Sequence, residues 1–467
     1  MIGRLAYLIA YARVADRAIE STSGEREEPL AIMDRAGRVA EALLARKVAP
    51  DEPVHVRIGN RPTDLGALLG IWLARAVAVP VHVGTAAATV DRLRRRTQAR
   101  FVVDGDRVDV VADATPPERA RLRDAALVIF TSGSTGEPKG VVIGHEAFAE
   151  KLAVLDRLLG LREDDNVLVP LHLTFIFGLW VSLLTLMKGA RLVLVPKFSG
   201  EAIERGLQCA TVFAGVPSMF RTLLADIAPG APHLRTILTG GEVLPVRLAE
   251  RMRQFAPRAA IYDLYGLTET GSCDFCVSPA DQPSGFGTIG KPTAGVTYRI
   301  AEGGAPVAAG ATGELQIRTP FGMLGYLDDP QLTAASFADG YFKTGDLARR
   351  RPDGFIELVG RAKDIISRGG VKIAPLEIDN LLAEHPDVAA ALCAGVADER
   401  LGEVIHAVVV PRPGAHLDTA ALRDWMLART ERYKVPDVFH VRDALPAGAT
   451  GKADRRAIAG LVAVEGR

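Results

Sequence analysis

LVIFTSGSTGEPKGVVIGH, residues 127–145, is the stretch around which the rest of the chain is organised. An apolar β-type run, Leu127 to Phe130, enters a loop of Thr131, Ser132, Gly133, Ser134, Thr135, Gly136, Glu137, Pro138, Lys139 and Gly140. A second β run, Val141 to Ile143, leaves it. Glycines let backbone N–H groups converge on an anion. Hydroxyls and a lysine add donors and positive charge. The pattern predicts a loop that holds the phosphates of a nucleotide. It is not a Walker A loop, in which the lysine is followed by Ser or Thr and then by a helix. Here Lys139 precedes Gly140 and a strand follows. The plainer alternative is a polar hairpin turn, and the density of Ser, Thr and Gly around one lysine weighs against it.

Working outward, residues 29–48 carry Leu30, Met33, Ala36, Val39, Leu43 and Leu44 at helical spacing. PVHVRIGN at 53–60 alternates like a strand, 63–75 suggests a helix, and the apolar run AVAVPVHV follows. ARFVVDG and ARLVLVPKF have the composition of buried strands. This β–helix–β alternation predicts an α/β fold with parallel strands. From 285 to 320, short strands lie between Gly/Pro turns, as in a small β-rich subdomain. Past residue 364 the pattern becomes compact α+β: a helix at 375–384, strands VAAALCAGV and EVIHAVVV, and a helix at 418–430. The expected division is a large domain, 1–363, and a small one, 364–467, with no internal repeat and no disordered linker.

Composition bounds the function. At about 150 residues per domain, a chain of 467 residues has room for one large and one small unit. Its core is large enough to need neither disulfides nor a structural metal. Lys+Arg is 56 and Asp+Glu is 56, a balance that argues against a general nucleic-acid or polyanion binder. Four cysteines exclude a disulfide scaffold and fit a reducing, cytoplasmic setting. No stretch reaches the roughly eighteen consecutive apolar residues of a membrane helix. The N-terminal MIGRLAYLIAYARVAD loosely resembles a signal peptide. However, its apolar run from Leu5 to Ala12 is short, and Arg13 and Asp16 continue a helical pattern, so secretion is not expected.

The loop TSGSTGEPKG resembles the signature of the adenylate-forming (ANL) superfamily, which holds acyl- and aryl-CoA synthetases, peptide-synthetase adenylation domains and luciferases. LYGLTETG at 264–271, GYFKTGDLARRRPDGFIELVGRAKDIISRGGVKIAPLEID at 340–379 and LPAGATGKADRRAI at 445–458 follow in that superfamily's order. The resemblance covers roughly residues 30–460. It implies a carboxylate that attacks the α-phosphate of ATP and expels pyrophosphate. Two anions must then meet, so cations and pre-aimed donors are required. The loop from Thr131 to Gly140, with Lys139, would hold the β,γ-phosphates. Glu269 would hold Mg²⁺, which prefers hard oxygen ligands. Tyr265 would pack against the adenine, Gly241, Glu242 and Gly266 would be further nucleotide-binding positions, and Thr268 would contact the α-phosphate. Asp346, assisted by Arg361, would accept the ribose hydroxyls. Lys452 would bridge carboxylate and phosphate during adenylation. Asp364 would be the hinge about which the C-terminal domain turns, after which Gly369, Gly370 and Lys372 would line a tunnel for the CoA thiol. Taken singly, Asp346 is an ordinary turn residue, Tyr265 an ordinary packed ring and Lys452 an ordinary surface charge.

The acyl pocket implied by the resemblance is lined by the segments after Pro170 and Thr211, by 239–242 and by residues near Tyr265. The first two, PLHLTFIFGLWVSLLTLM and TVFAGVPSMF, are apolar. From Leu171 to Met187 there is no acid for an α-ammonium and no arginine for a second carboxylate. An uncharged aryl or medium aliphatic acid is expected, against Phe175, Phe177, Phe213, Gly240 and Gly271, with aryl favoured. Relatives often read Pro-x-x-His-x-x-Gly here. In this chain Phe175 takes the histidine's position, and His172, three residues earlier, is either a pocket gate or a core histidine. Lys343 replaces the usual arginine before Thr-Gly-Asp, and the region before the phosphate loop is short. Cys273 and Cys276 form a C-x-x-C pair without metal-type partners and are expected to be packed thiols. The expected activity is acid–CoA ligation with ATP, Mg²⁺ and CoA. The alternatives are transfer to a carrier-protein thiol or to an amine, or a silent nucleotide-binding module, against which Lys452, Glu269 and Asp346 argue. A homodimer is left open.

Overall fold

The computed structural model describes residues 18–132, 138–226, 230–231, 233–446 and 453–465. Two large sheets carry the N-terminal part. The nine-stranded sheet has its middle strands, Ile19–Ser21, Asn166–Val169, Arg191–Leu194, Val212–Gly215, Thr236–Gly240 and Ala260–Tyr265, all parallel. Its edges, Arg26–Glu27, Phe275–Val277 and Lys291–Pro292, are antiparallel. The seven-stranded sheet runs Gly325–Tyr326, Pro138–Gly144, Ala125–Ser132, Val77–His82, Pro53–Ile58, Phe101–Asp104 and Arg107–Val110.

One buried cluster takes side chains from both sheets and from the helices Pro29–Ala45, Pro62–Leu73, His145–Leu159 and Ile176–Met187. Helix Pro62–Leu73 is apolar almost all round, which suits an element buried on every side. It lies so close to Pro29–Ala45 that a Cβ at Gly70 would stand 2.7 Å from the Ala36 carbonyl oxygen. A second cluster covers the other face of the nine-stranded sheet. Leu168, Phe213, Ile237 and Ile261 point there, while Val167, Val212, Ala214 and Leu238 point to the first cluster, as strand alternation requires.

The β-rich part reaches further than the sequence pattern suggested. Its six-stranded sheet spans Thr297–Glu302 to Ile356–Arg361, because the hairpin of Tyr341–Arg350 and Ile356–Arg361 joins it. Beyond it, a five-stranded sheet with the helices Pro375–Ala383 and Thr419–Leu427 encloses its own buried cluster around Ile366, Ile378, Leu382, Ile405 and Met426. The fold is mixed α/β, with layered sheets in a large N-terminal part and a small α+β C-terminal part. Among the described residues, no helix is long and apolar enough to cross a membrane.

Candidate active site

The quoted loop joins two antiparallel strands, Ala125–Ser132 and Pro138–Gly144, whose register sets Thr131 opposite Lys139 and Ser132 opposite Pro138. Gly133, Ser134, Thr135 and Gly136 lie outside the described residues. The short strand Gly325–Tyr326 pairs along the outer edge, with Tyr326 opposite Val141. The Lys139 ammonium stands 5.5 Å from the centre of the Tyr326 ring. The Tyr326 hydroxyl donates to Glu269 Oε1 at 3.1 Å. Burial and the neighbouring Glu269 charge push the Tyr326 phenol above its ordinary range, so it remains a donor. The Met323 N–H also donates to the Glu269 carbonyl at 2.8 Å. One strand edge therefore couples the phosphate-loop hairpin to the carboxylate of the YGLTET turn.

That turn follows strand Ala260–Tyr265 and continues as a single 3-10 turn, Thr268–Thr270. Gly266 is required by space, since a Cβ there would lie 2.2 Å from the Cys273 nitrogen. At its start, the Tyr265 hydroxyl donates to Asp346 Oδ2 at 2.6 Å. Asp346 lies directly across the strand pair from Arg361, whose Nε is 2.8 Å from Asp346 Oδ1. Asp346 is buried, whereas the Arg361 side chain is about half exposed. Burial and the Asp346 charge hold the Tyr265 phenol well above its usual range, so it too donates. Glu242, next to Gly241, is engaged by the Ser218 hydroxyl and the Arg221 guanidinium, each at 2.7 Å. Glu269 offers a carboxylate as its hard donor, and no group of three His, Cys, Asp or Glu gathers among the described residues. A single carboxylate suits a cation such as Mg²⁺ that takes its other ligands from water and phosphate oxygens, and it does not suit a closed protein cage.

His172 follows strand Asn166–Val169. The segment is clamped by buried Asn60, which donates to the Leu171 carbonyl at 2.8 Å and accepts from the Leu173 N–H at 2.9 Å. The His172 ring packs edge-on to His82, with centroids 4.4 Å apart, and lies near Phe175. Burial and His82 lower its basicity, so it stays neutral near pH 7. Phe175 is exposed just before helix Ile176–Met187, and Phe177 stacks on Trp180 at 5.3 Å. The Trp180 indole donates to Ser272 Oγ at 3.3 Å.

Phe213 departs from expectation. It is fully buried against Phe220 in the second core cluster, so it supports the sheet and presents no surface to a ligand. Gly240, Gly266 and Gly271 lie against the backbones of Leu264, Cys273 and Phe321 respectively, and Gly240 and Gly271 are buried. Cys273 and Cys276 are buried, and burial raises the Cys273 thiol to about 12, far from a reactive thiolate.

In the C-terminal part, Asp364 ends the 3-10 turn Ala362–Asp364 that follows strand Ile356–Arg361. Gly369 and Gly370, both at positive φ, make the hairpin turn between Ile366–Arg368 and Val371–Ile373. Lys372 is exposed and bonded to the Ser367 hydroxyl. Lys452 lies outside the described residues, but its flanks are tied. The Asp454 N–H donates to the Pro446 carbonyl at 2.9 Å, and Arg455 pairs with buried Asp379 while donating to the Cys393 carbonyl. Tyr326 and Asn60 stand outside the motifs of the sequence, and Asp379 and Arg455 lie within two of them. Each is one residue delivered by pairing or packing, with no local pattern to mark it.

The layered sheets, the β-rich sheet and the small C-terminal unit define the fold class of adenylate-forming enzymes. The chain belongs to the AMP-binding enzyme family: the family profile matches residues 31–327, and the profile of the AMP-binding enzyme C-terminal domain matches 377–452. It is 32% identical over 449 residues to a feruloyl-CoA synthase of Amycolatopsis sp, covering 90% of each chain. It is 37% identical over 347 residues to an indoleacetate–CoA ligase of Aromatoleum aromaticum, covering 72% of this chain and 67% of the relative. Among solved structures, it superposes on the O-succinylbenzoate coenzyme A synthetase of Bacillus subtilis in complex with ATP and magnesium ion. The TM-score is 0.82, with 26% identity, over 97% of this chain and 99% of the other.

Proposed function

We propose that this chain is an AMP-forming acid–CoA ligase for an uncharged aryl or medium aliphatic carboxylic acid. A carboxylate oxygen forms a bond to the α-phosphorus of ATP, and the bond to the pyrophosphate oxygen breaks. The CoA thiol then attacks the acyl carbon, AMP leaves, and the thiol proton passes to solvent. The convergence of Lys139, Tyr326 and Glu269 on one side, and of Tyr265, Asp346 and Arg361 on the other, is the observation that carries this assignment.

In this scheme Thr131, Ser132, Lys139 and the glycines between them hold the terminal phosphates. Thr268 contacts the α-phosphate, and Gly241, Glu242, Tyr265 and Gly266 flank the base. Asp346, supported by Arg361, takes the ribose. Glu269 would hold Mg²⁺, which supplies charge neutralisation for the phosphates; Tyr326 orients the Glu269 carboxylate. Lys452, on a C-terminal domain of residues 364–467 hinged at Asp364, serves adenylation. Gly369, Gly370 and Lys372 serve the thiol step. His172, Phe175, Phe177, Gly240 and Gly271 bound the acyl group. The feruloyl, indoleacetate and succinylbenzoate names of the relatives support the aryl class.

The test is a mass-spectrometric product assay. Protein, ATP, Mg²⁺ and CoA are incubated with pooled aryl, aliphatic and amino acids. An aryl-CoA product is expected. AMP release with CoA untouched would overturn the CoA step and direct the adenylate to a carrier thiol or an amine. In the same assay Tyr326→Phe, which removes one hydroxyl from Glu269, is expected to lower kcat/KM about fivefold, the equivalent of one ordinary hydrogen bond. It should also raise the Mg²⁺ concentration needed for half-maximal rate. An unchanged Mg²⁺ dependence would separate Tyr326 from that carboxylate's function.

A further inference from the structure

Lys151 is a lysine whose side chain has no solvent exposure, on helix His145–Leu159. Its ammonium donates to the Cys273 carbonyl at 2.8 Å, lies 3.8 Å from Asp274 Oδ1, and stands 5.1 Å from the centre of the Phe321 ring. Asp274 is equally buried. Its Oδ2 accepts from the Thr270 hydroxyl, and its Oδ1 has no hydrogen-bond partner. Burial raises the Asp274 carboxyl above its usual range, and the Lys151 ammonium opposes that shift. A buried ion pair with an incomplete set of hydrogen bonds is weak support for stability, and an apolar pair of similar shape does as well or better. Its location calls for a different account.

The carbonyl that Lys151 holds belongs to a strained turn. Ser272 and Cys273 both have left-handed backbones, with φ of 69° and 51°, which side-chain-bearing residues rarely adopt. The turn is interlocked with the loop that carries Thr268 and Glu269. The Ser272 N–H donates to the Leu267 carbonyl at 2.8 Å, and the Asp274 N–H donates to the Tyr265 carbonyl at 2.7 Å. Gly266 packs directly on the Cys273 nitrogen. At its other end, Lys151 rides on the helix that starts immediately after strand Pro138–Gly144, which carries Lys139. One helix thus links the phosphate-loop strand to the Glu269 turn through the Lys151 ammonium; the Cys273 carbonyl it holds also accepts from the Thr293 hydroxyl at 2.9 Å, which comes from outside that helix.

We propose that Lys151, with Asp274, is a positioning pair for adenylation: the buried ammonium pins the left-handed Ser272–Cys273 turn and so sets Thr268 and Glu269 against the Lys139 strand. This rests on the adenylation chemistry proposed above. Both side chains are fully buried, so they act through the turn and not on the substrate directly.

The test compares Lys151→Met, Lys151→Gln and the double variant Lys151→Met/Asp274→Asn with wild type, each checked for thermal unfolding. Two readouts are taken. One is acid-dependent pyrophosphate exchange, resolved into kcat and KM. The other is amide hydrogen exchange over residues 266–274 in protein without substrates. Lys151→Met is expected to lower kcat about 10²-fold, the scale of an ångström-sized misplacement, with little change in KM for ATP. Its 266–274 amides should lose protection while the rest of the chain keeps it. Gln, which retains an N–H donor, should recover part of kcat at equal stability. The double variant removes the buried charges altogether. It should regain stability but not kcat, because the Cys273 carbonyl then keeps only the Thr293 hydroxyl, at 2.9 Å, and loses its tie to the helix. Recovery of kcat in the double variant, or unchanged protection at 266–274 in Lys151→Met, would overturn the proposal. A Lys151→Met chain that fails to fold leaves the Gln and double variants to decide it. Wild-type protein without pyrophosphate exchange would refute adenylation, and the amide-exchange arm would still decide whether Lys151 pins the turn.

Discussion

Lys452→Ala is expected to lower acid-dependent pyrophosphate exchange about 10²–10³-fold, the effect of removing a donor aimed at developing transition-state charge. ATP affinity should change little. The reason lies in when the charge is needed. Before reaction, the acid and the nucleotide can each be held by groups of the N-terminal part, and no cation has to lie between them. In the transition state the attacking carboxylate and the α-phosphate share one pentacoordinate phosphorus, and their mutual repulsion must be neutralised there. Three residues on, Arg455 pairs with Asp379 and donates to the Cys393 carbonyl, contacts that the substitution leaves in place. A discriminating control follows. If Lys452 serves only the first step, Lys452→Ala should convert a chemically prepared acyl-adenylate and CoA to acyl-CoA within a few-fold of wild type. Isothermal titration with a non-hydrolysable ATP analogue and the two half-reaction rates measure this directly. Loss of nucleotide affinity, or equal loss in both half-reactions, would remove Lys452 from the role assigned to it.

The elements that could be recognised from sequence are those whose information is local. The helix at 29–48 was visible because its apolar residues recur at one period, and it forms as Pro29–Ala45. The phosphate loop was visible because its hydroxyls, glycines and lysine fall within ten consecutive positions. Asp346 and Arg361 could be paired only through the order of motifs, although strand register is what brings them together. Phe213 shows where local information stops. Alternation in a strand tells which residues share a face, but not which face meets the pocket and which meets the core. Phe213 lies on the core face, in the second cluster. Tyr326, Asn60, Lys151 and Asp274 carry no local mark at all. A tyrosine after glycine and a lysine on an amphipathic helix are commonplace in sequence. They acquire meaning only when an edge strand delivers the hydroxyl to Glu269, or when a helix buries the ammonium beneath Cys273.

Asp346→Asn should be nearly as damaging as Lys452→Ala, but through binding. An ionised carboxylate offers about four lone-pair sites on its two oxygens. Tyr265 takes one on Oδ2 and Arg361 one on Oδ1. One site on each oxygen is left, the number that two vicinal ribose hydroxyls require. Asparagine removes the charge and turns one oxygen into a donor. That donor replaces either Oδ1, where it opposes an Arg361 N–H, or Oδ2, which holds the Tyr265 hydroxyl, and in either case one ribose hydroxyl loses its acceptor. Each charge-assisted hydrogen bond contributes about 1.5–3 kcal/mol, so loss of one ribose bond and of the charge behind the other is expected to lower kcat/KM for ATP about 10²-fold. Folding should be less affected than binding, because asparagine keeps the shape and one acceptor of the buried aspartate, and the half-exposed Arg361 side chain reaches water. The ribose assignment has its own signature. Wild-type protein should prefer ATP over 2′-deoxy-ATP by about ten- to a hundredfold, one such hydrogen bond. In Asp346→Asn that preference should collapse to a few-fold, since the acceptor that read the hydroxyl is gone. Parallel kcat/KM measurements on the two nucleotides with both proteins close the cycle. If the preference for ATP survived in Asp346→Asn, the ribose would be read elsewhere, and Asp346 would instead be a structural anchor for Tyr265 and Arg361.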